Sequence, residues 1–223
     1  MKENQYLKGP FILGNKTKKV KNIVAMLHGY GSNGSDLIQI AKILEIDFPN
    51  THFFAPNAPF KYEKNIDGYM WFEAYPNGIH YNEASEQQKK NVKIDFDYSC
   101  RLIKHYIKYL LDTYAVNLNK FFLLGFSQGS MMSLEVGTSL NKPIGGIISL
   151  SGRIWGDDFD KIDRNKSPIL IVHGEEDQII KPFRYHETCN ILEKSNFKVK
   201  KYLLKEMGHT INNDVIKILK NFL

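Results

Sequence analysis

The chain has 223 residues, 43% of them hydrophobic, enough to bury one sizeable core, and a single domain over residues 1–223 is the simplest count. The formal net charge of +6 is carried mainly by scattered lysines; the arginines are Arg101, Arg153, Arg164 and Arg184. No basic stripe is dense enough to follow a phosphate backbone, so a solvated lysine-rich surface is expected and a nucleic-acid partner is not.

Cys100 and Cys189 are the two cysteines, too few for a disulfide framework or a paired-cysteine metal site. The first twenty residues carry no apolar run of signal-peptide length. No run of about 20 apolar residues occurs, so no transmembrane segment is expected. The default expectation is a soluble protein of a reducing compartment, the cytoplasm.

In chain order, Phe11-Ile12-Leu13 suits an edge strand, and Asn22–Leu27 a better, unbroken one. The latter runs into the glycine-rich His28-Gly29-Tyr30-Gly31-Ser32-Asn33-Gly34, after which Ser35 or Asp36 can cap a helix to about Ile46. Gly29, Gly31 and Gly34 have dinucleotide-loop spacing, but a histidine precedes them and no acidic residue follows a second strand at the expected distance. His52–Ala55 is a further short strand, followed by residues 60–82, an irregular stretch dense in aromatics. Long loops of this kind are often lids or binding loops; equally, Trp71 and Phe72 can simply seal the sheet.

Glu83 to Val116 lacks Gly and Pro and repeats apolar residues at helical spacing, predicting one long amphipathic helix. Strands are then expected at Phe121–Leu124, Ile144–Leu150, Pro168–Val172 and Lys198–Leu204, with helices around Phe183–Ser195 and Asn212–Leu223. Alternating strands and helices build a mostly parallel central sheet covered on both faces, with chemistry at the carboxyl ends of the strands.

At one such end stands Gly125-Phe126-Ser127-Gln128-Gly129, between the apolar run and a helix-compatible segment. Gly-x-Ser-x-Gly in strand–turn–helix context holds a serine exposed on a strained turn. A serine hydroxyl needs a base to take its proton, and a histidine base needs a carboxylate to fix its tautomer. Asp177, just past a hydrophobic strand, is the acid candidate; Glu175 and Glu176 are rivals on the same loop, and Asp157, Asp158, Asp160 and Asp163 lie in a polar connection. Among seven histidines, His28 and His173 precede glycines at strand ends, where an imidazole braces a loop, while His209 is free to reach across a site. The order Ser127, Asp177, His209 is that of α/β-hydrolases.

Leu27–Asp36, Gly125–Gly129, Leu150-Ser151-Gly152, His173–Asp177 and Gly208-His209 together resemble the carboxylesterase/acyl-protein thioesterase group, the phospholipase/carboxylesterase family. Ala55–Pro59 and Met70-Trp71-Phe72 extend the likeness over almost the whole chain. The resemblance implies a single-domain α/β-hydrolase without a large cap, with Ser127 as nucleophile, Asp177 as orienting acid and His209 as base. It also implies an oxyanion hole made by the backbone N–H groups of Gln128 and Tyr30, the latter where family members often carry Leu or a similar apolar residue. Trp71, Phe72 and Met131, with Tyr69 and Met70, are candidates to line an acyl pocket; their alternative is ordinary core.

The expected reaction is two-step acyl transfer from small or medium acyl esters or thioesters, on a small molecule, a lipid or an acylated protein, without metal or organic cofactor. The family often dimerises, though no interface patch stands out in this sequence. A dienelactone-hydrolase-like enzyme is the alternative on the same fold, but that group uses cysteine where this chain has Ser127. A peptidase has no feature demanding it, and a non-catalytic binding protein would have no need of all three candidate residues.

Overall fold

The computed structural model describes residues 7–15, 19–156, 159 and 163–223. Residues 1–6 and the acid rivals Asp157, Asp158 and Asp160 lie outside the described residues. The apolar runs form a seven-stranded sheet: β1 (Phe11–Ile12), β2 (Asn22–Leu27), β3 (Thr51–Phe54), then, after a short separate ribbon of β4 (Phe60–Lys61) and β5 (Tyr69–Met70), β6 (Phe121–Phe126), β7 (Gly146–Leu150), β8 (Ile169–Gly174) and β9 (Val199–Leu204). Its order is β1-β3-β2-β6-β7-β8-β9, parallel throughout except for the antiparallel edge pair β1–β3.

The central strands are buried along almost their whole length, with only Asn22 and Phe126 at strand ends partly exposed, and successive side chains point to opposite faces. Val24, Met26, Phe122, Leu124, Leu170 and Val172 face one layer, built by α1 (Gly34–Leu44) and α5 (Asn213–Lys220). Ile23, Ala25, Phe121, Leu123, Ile169 and Ile171 face the other, built by α2 (Glu86–Tyr114), α3 (Gln128–Thr138) and α4 (Pro182–Lys194). At the open edge, β9 carries exposed Lys200 and Lys201, charges that discourage pairing with a further strand.

Helix α1 starts earlier than Ser35 or Asp36 would place it, because the Asn33 side chain accepts from the Asp36 N–H at 2.9 Å and caps the helix. Helix α2 begins at Glu86, where Ser85 and Gln88 form a reciprocal capping box; Glu83 falls in a short 3₁₀ turn before it. It ends at Tyr114, with Ala115 in the left-handed conformation. The irregular stretch contains an antiparallel ribbon, β4 (Phe60–Lys61) and β5 (Tyr69–Met70), bonded to the glycine-rich loop through Gly31, Ser32 and Tyr69. The pairings Leu27↔Gly125, Phe126↔Leu150 and Gly174↔Leu204 bring the strand ends level. Loops after β2, β6, β7, β8 and β9 therefore meet above one edge of the sheet.

Candidate active site

The turn from β6 into α3 places Ser127 at φ 55°, ψ −115°, a conformation that side chains rarely adopt and that costs on the order of 1–3 kcal/mol. Its N–H donates to the Leu150 carbonyl at 2.9 Å, and its carbonyl accepts from Ser130 and Met131 in the first turn of α3. The flanking glycines are required by contact. A Cβ on Gly125 would lie 2.1 Å from the Gly129 carbonyl oxygen, and one on Gly129 2.0 Å from that of Leu27. The helix thus packs directly onto β2 and β6, and Ser127 is held partly exposed at its head.

On the other flank, Asp177 is fully buried. Its Oδ1 accepts from the Ile179 and Ile180 N–H groups at 2.9 and 2.8 Å, and its Oδ2 from His209 Nδ1 at 2.7 Å. The carboxylate is thus fixed by its own loop and fixes in turn an imidazole delivered from the loop after β9. The His209 ring rests against Phe126, the neighbour of Ser127, at 4.9 Å between centroids. Glu175, Glu176 and Asp163 are exposed, with no such arrangement among the described residues.

His173 is also buried against Asp177, 3.4 Å from its Oδ2, and donates from Nε2 to the Ile180 carbonyl at 2.7 Å. Burial lowers its pKa from the ordinary value, so the ring is neutral and its partnerless Nδ1 carries no proton. It braces the loop that presents Asp177.

His28 braces the glycine-rich loop. Burial pulls its pKa down to about 4, leaving a neutral ring with one donor and one acceptor. Nε2 accepts from the Ala58 N–H at 3.0 Å, which puts the proton on Nδ1, and Nδ1 donates to the Gly29 carbonyl at 2.8 Å. That bond orients the Gly29–Tyr30 peptide. In a planar trans peptide the Tyr30 N–H then points away from the Gly29 oxygen.

Trp71 and Phe72 occupy a different place from the acyl pocket expected of them: both are fully buried beneath the cavity rather than in its wall. The Trp71 indole donates to the His28 carbonyl at 2.9 Å. The Gln128 side chain binds the same segment at two points, accepting from Trp71 N–H at 2.9 Å and donating to the Phe72 carbonyl at 2.7 Å. Phe72 packs on Phe96 and Trp155. A Trp with its N–H satisfied inside and a Phe between two aromatics serve as core, tying the glycine-rich loop to the serine turn. Tyr69 and Met70 form β5 and also stand outside the cavity lining.

A cavity of about 400 Å³ opens above the strand ends, and Tyr30, Ser127, Gln128, Met131 and His209 line it. Of the expected pocket residues, Met131 alone is in the wall. Sequence reasoning missed Trp155, Ile179, Ile180 and Phe183, together with Arg153, Lys181 and Arg184, which complete it. Their signal was position: Trp155 follows the Ser151-Gly152 strand end, and Ile179–Arg184 follow Asp177 directly. Tyr75 and His80 come from the irregular stretch, which is therefore part of the site. Cys100 and Cys189 are buried free thiols, and no helix among the described residues is long and apolar enough to cross a membrane.

A mostly parallel sheet with helices on both faces, and a strained serine turn above its middle strand, define an α/β-hydrolase. The chain belongs to the phospholipase/carboxylesterase family, whose model matches residues 9–223, and with that family it is a hydrolase of ester bonds. It is 28% identical over 221 residues to acyl-protein thioesterase 1 of Kluyveromyces lactis, covering 95% of this chain and 94% of that protein. The counterpart from Debaryomyces hansenii is 28% identical over 226 residues, covering 92% and 91%. The crystal structure of esterase PE8 superposes with a TM-score of 0.87 at 27% identity, covering 97% of each chain. SOBER1 of Arabidopsis thaliana shares the fold at 19% identity, with a TM-score of 0.72 over 90% of this chain and 96% of that one.

Proposed function

We propose that the chain hydrolyses carboxylic esters or thioesters by two-step acyl transfer, with Ser127 as nucleophile, His209 as base and Asp177 as orienting acid. The observation that carries this reading is the convergence in one cavity of a strained, partly exposed serine and a histidine whose Nδ1 is held by a buried carboxylate. With Nδ1 bound to Asp177, His209 has Nε2 to take the Ser127 proton. The Ser127 oxygen attacks the substrate carbonyl, and the oxyanion is received by the N–H groups of Gln128 and Tyr30. The protonated His209 gives its proton to the departing alcohol or thiol as the bond to the acyl carbon breaks. A water deprotonated by His209 then attacks the acyl-enzyme, and the acid leaves as Ser127 recovers its proton.

Tyr30 supplies only its backbone to this scheme, so replacement of the Leu common in the family is compatible with it. Acyl groups of small or medium size suit the cavity volume, and the thioesterase relatives favour including thioesters and acylated proteins among the substrates. The free thiols fit a reducing compartment such as the cytoplasm.

The test is labelling with a fluorophosphonate and turnover of p-nitrophenyl esters from acetate to palmitate, beside acyl-CoA thioesters and lysophospholipid. Label is expected on Ser127, and Ser127→Ala is expected to lose both labelling and turnover. Parent-rate hydrolysis by Ser127→Ala would overturn the assignment.

A further inference from the structure

One carboxylate beside the cavity has no part in the proton transfers above. Glu73, half-buried, directs its Oε1 at two donors: the Tyr30 hydroxyl and, at 2.8 Å, the Tyr75 N–H. Burial and this hydrogen bond raise the Tyr30 phenol well above its usual pKa, so it stays protonated and donates. The Tyr30 ring is enclosed edge-on by Tyr62 at 5.0 Å and Tyr75 at 5.8 Å between centroids. Tyr30 is therefore restrained at both ends. His28 fixes the peptide that carries its N–H, and Glu73 fixes the tip of its side chain.

Resting on the acyl-transfer reading, we propose that Glu73 is a positioning residue: it latches the Tyr30 phenol to the backbone at Tyr75 and so holds the Tyr30 N–H on the developing oxyanion. A backbone donor helps catalysis only to the extent that it is aimed before charge develops, because reorientation during the reaction costs part of the stabilisation. The latch matters because the residue bearing that donor carries a large side chain. An unlatched phenol would be free to leave its slot and pull the peptide with it. The latch also joins the donor to a cavity wall, since both Tyr30 and Tyr75 line the cavity.

The experiment uses the full chain with Tyr30→Phe, Glu73→Gln, Glu73→Ala and the double variant Tyr30→Phe/Glu73→Ala. It reads kcat and KM on p-nitrophenyl butyrate and the affinity of an aryl boronic acid as transition-state analogue. Tyr30→Phe and Glu73→Ala are each expected to lower kcat by roughly tenfold, within the loss that removal of a whole oxyanion donor produces. KM should stay within about twofold, boronate affinity should fall with kcat/KM, and the double variant should be no worse than either single one. Glu73→Gln, which keeps an acceptor oxygen, should recover part of the loss. Unchanged kcat, additive losses, or an effect confined to KM would overturn the proposal. Fluorophosphonate labelling of the unsubstituted protein separates this outcome from a failure of the acyl-transfer reading, which would show as no label on Ser127 there. Tyr30→Phe and Glu73→Gln preserve packing, so they decide the matter even where Glu73→Ala melts early.

Discussion

Two carboxylates flank Ser127, and each organises a loop in the same way. Asp177, beyond β8, gathers two N–H groups of its own loop and holds His209; Glu73, beyond β5, gathers the Tyr75 N–H and holds Tyr30. Both recruit a side chain from a distant loop and restrain it from one end. They differ in burial and in what they restrain. Asp177 is sealed from water and bonded through both oxygens, so no solvent is at hand to take over its bonds. Glu73 is half-buried, uses one oxygen for both bonds and acts on a backbone already oriented by His28. In this scheme one carboxylate is indispensable to proton transfer, and the other refines alignment. The strength of each dependence is measurable, and the contrast can be broken.

The largest expected effect is on the buried side. Asp177→Asn should lower kcat by about 10⁴, because an amide in that position can stabilise the wrong His209 tautomer and cannot balance an imidazolium. Glu176→Gln, on an exposed neighbour, should remain within about twofold. Turnover of p-nitrophenyl butyrate by the two variants decides it: a large loss only in Glu176→Gln would move the acid role. A loss in Glu73→Ala as great as that in Asp177→Asn would erase the distinction between acid and positioning group.

Both sides are braced by buried neutral histidines, and these set a limit in acid. His28 is held near 4 in the fold against about 6.5 when unfolded, so folding favours its neutral form. Its contribution is present in full above the unfolded value, fades as the pH falls below about 6.5, and is lost once the pH has passed about 4. The difference amounts to about 3 kcal/mol. Burial lowers His173 as well, in the same direction. Urea unfolding between neutral pH and pH 4 should therefore show falling stability. In His28→Asn, which is less stable at neutral pH, the part of that slope due to His28 should vanish. An identical pH slope in that variant would show that its ring is not protonated on unfolding.

The two flanks also differ in how much the sequence disclosed. Asp177 was legible because an apolar strand followed by a polar loop marks a strand end, and strand ends are where such sheets keep their chemistry. The same logic reached Ser127, His209 and the bracing roles of His28 and His173. Glu73 was not legible. It lies in a segment with no period, where a carboxylate among Trp71, Phe72, Ala74 and Tyr75 has no register to place it. Trp71 and Phe72 misled for the same reason: aromatics in an irregular segment suggest a pocket, yet the Gln128 side chain and the Trp71 indole turn that segment into core. Conversely, nothing in the sequence marked Ile179, and Phe183 was expected only as the start of a helix; both line the cavity beside the Asp177 loop.

The smallest effect concerns which wall meets the acyl chain. On the Asp177 flank the lining offers the apolar Ile179, Ile180 and Phe183 beside Lys181 and Arg184, with Met131 between the flanks; on the Glu73 flank it includes Tyr30, Ala74, Tyr75 and His80. Ile179 is 66% exposed, so Ile179→Ser should change stability by no more than about 0.5 kcal/mol. It would remove apolar contact from a bound chain, at about 0.8 kcal/mol for each methylene no longer buried, so kcat/KM for octanoate and longer esters should fall roughly fivefold. Acetate, too short to reach the rim, should be unaffected. Tyr75→Ser on the opposite flank should leave the chain-length profile in place. Should the profile instead shift with Tyr75→Ser and hold with Ile179→Ser, the acyl chain lies along the Glu73 flank. The latched loop would then form the wall of the acyl pocket as well as aiming the backbone donor.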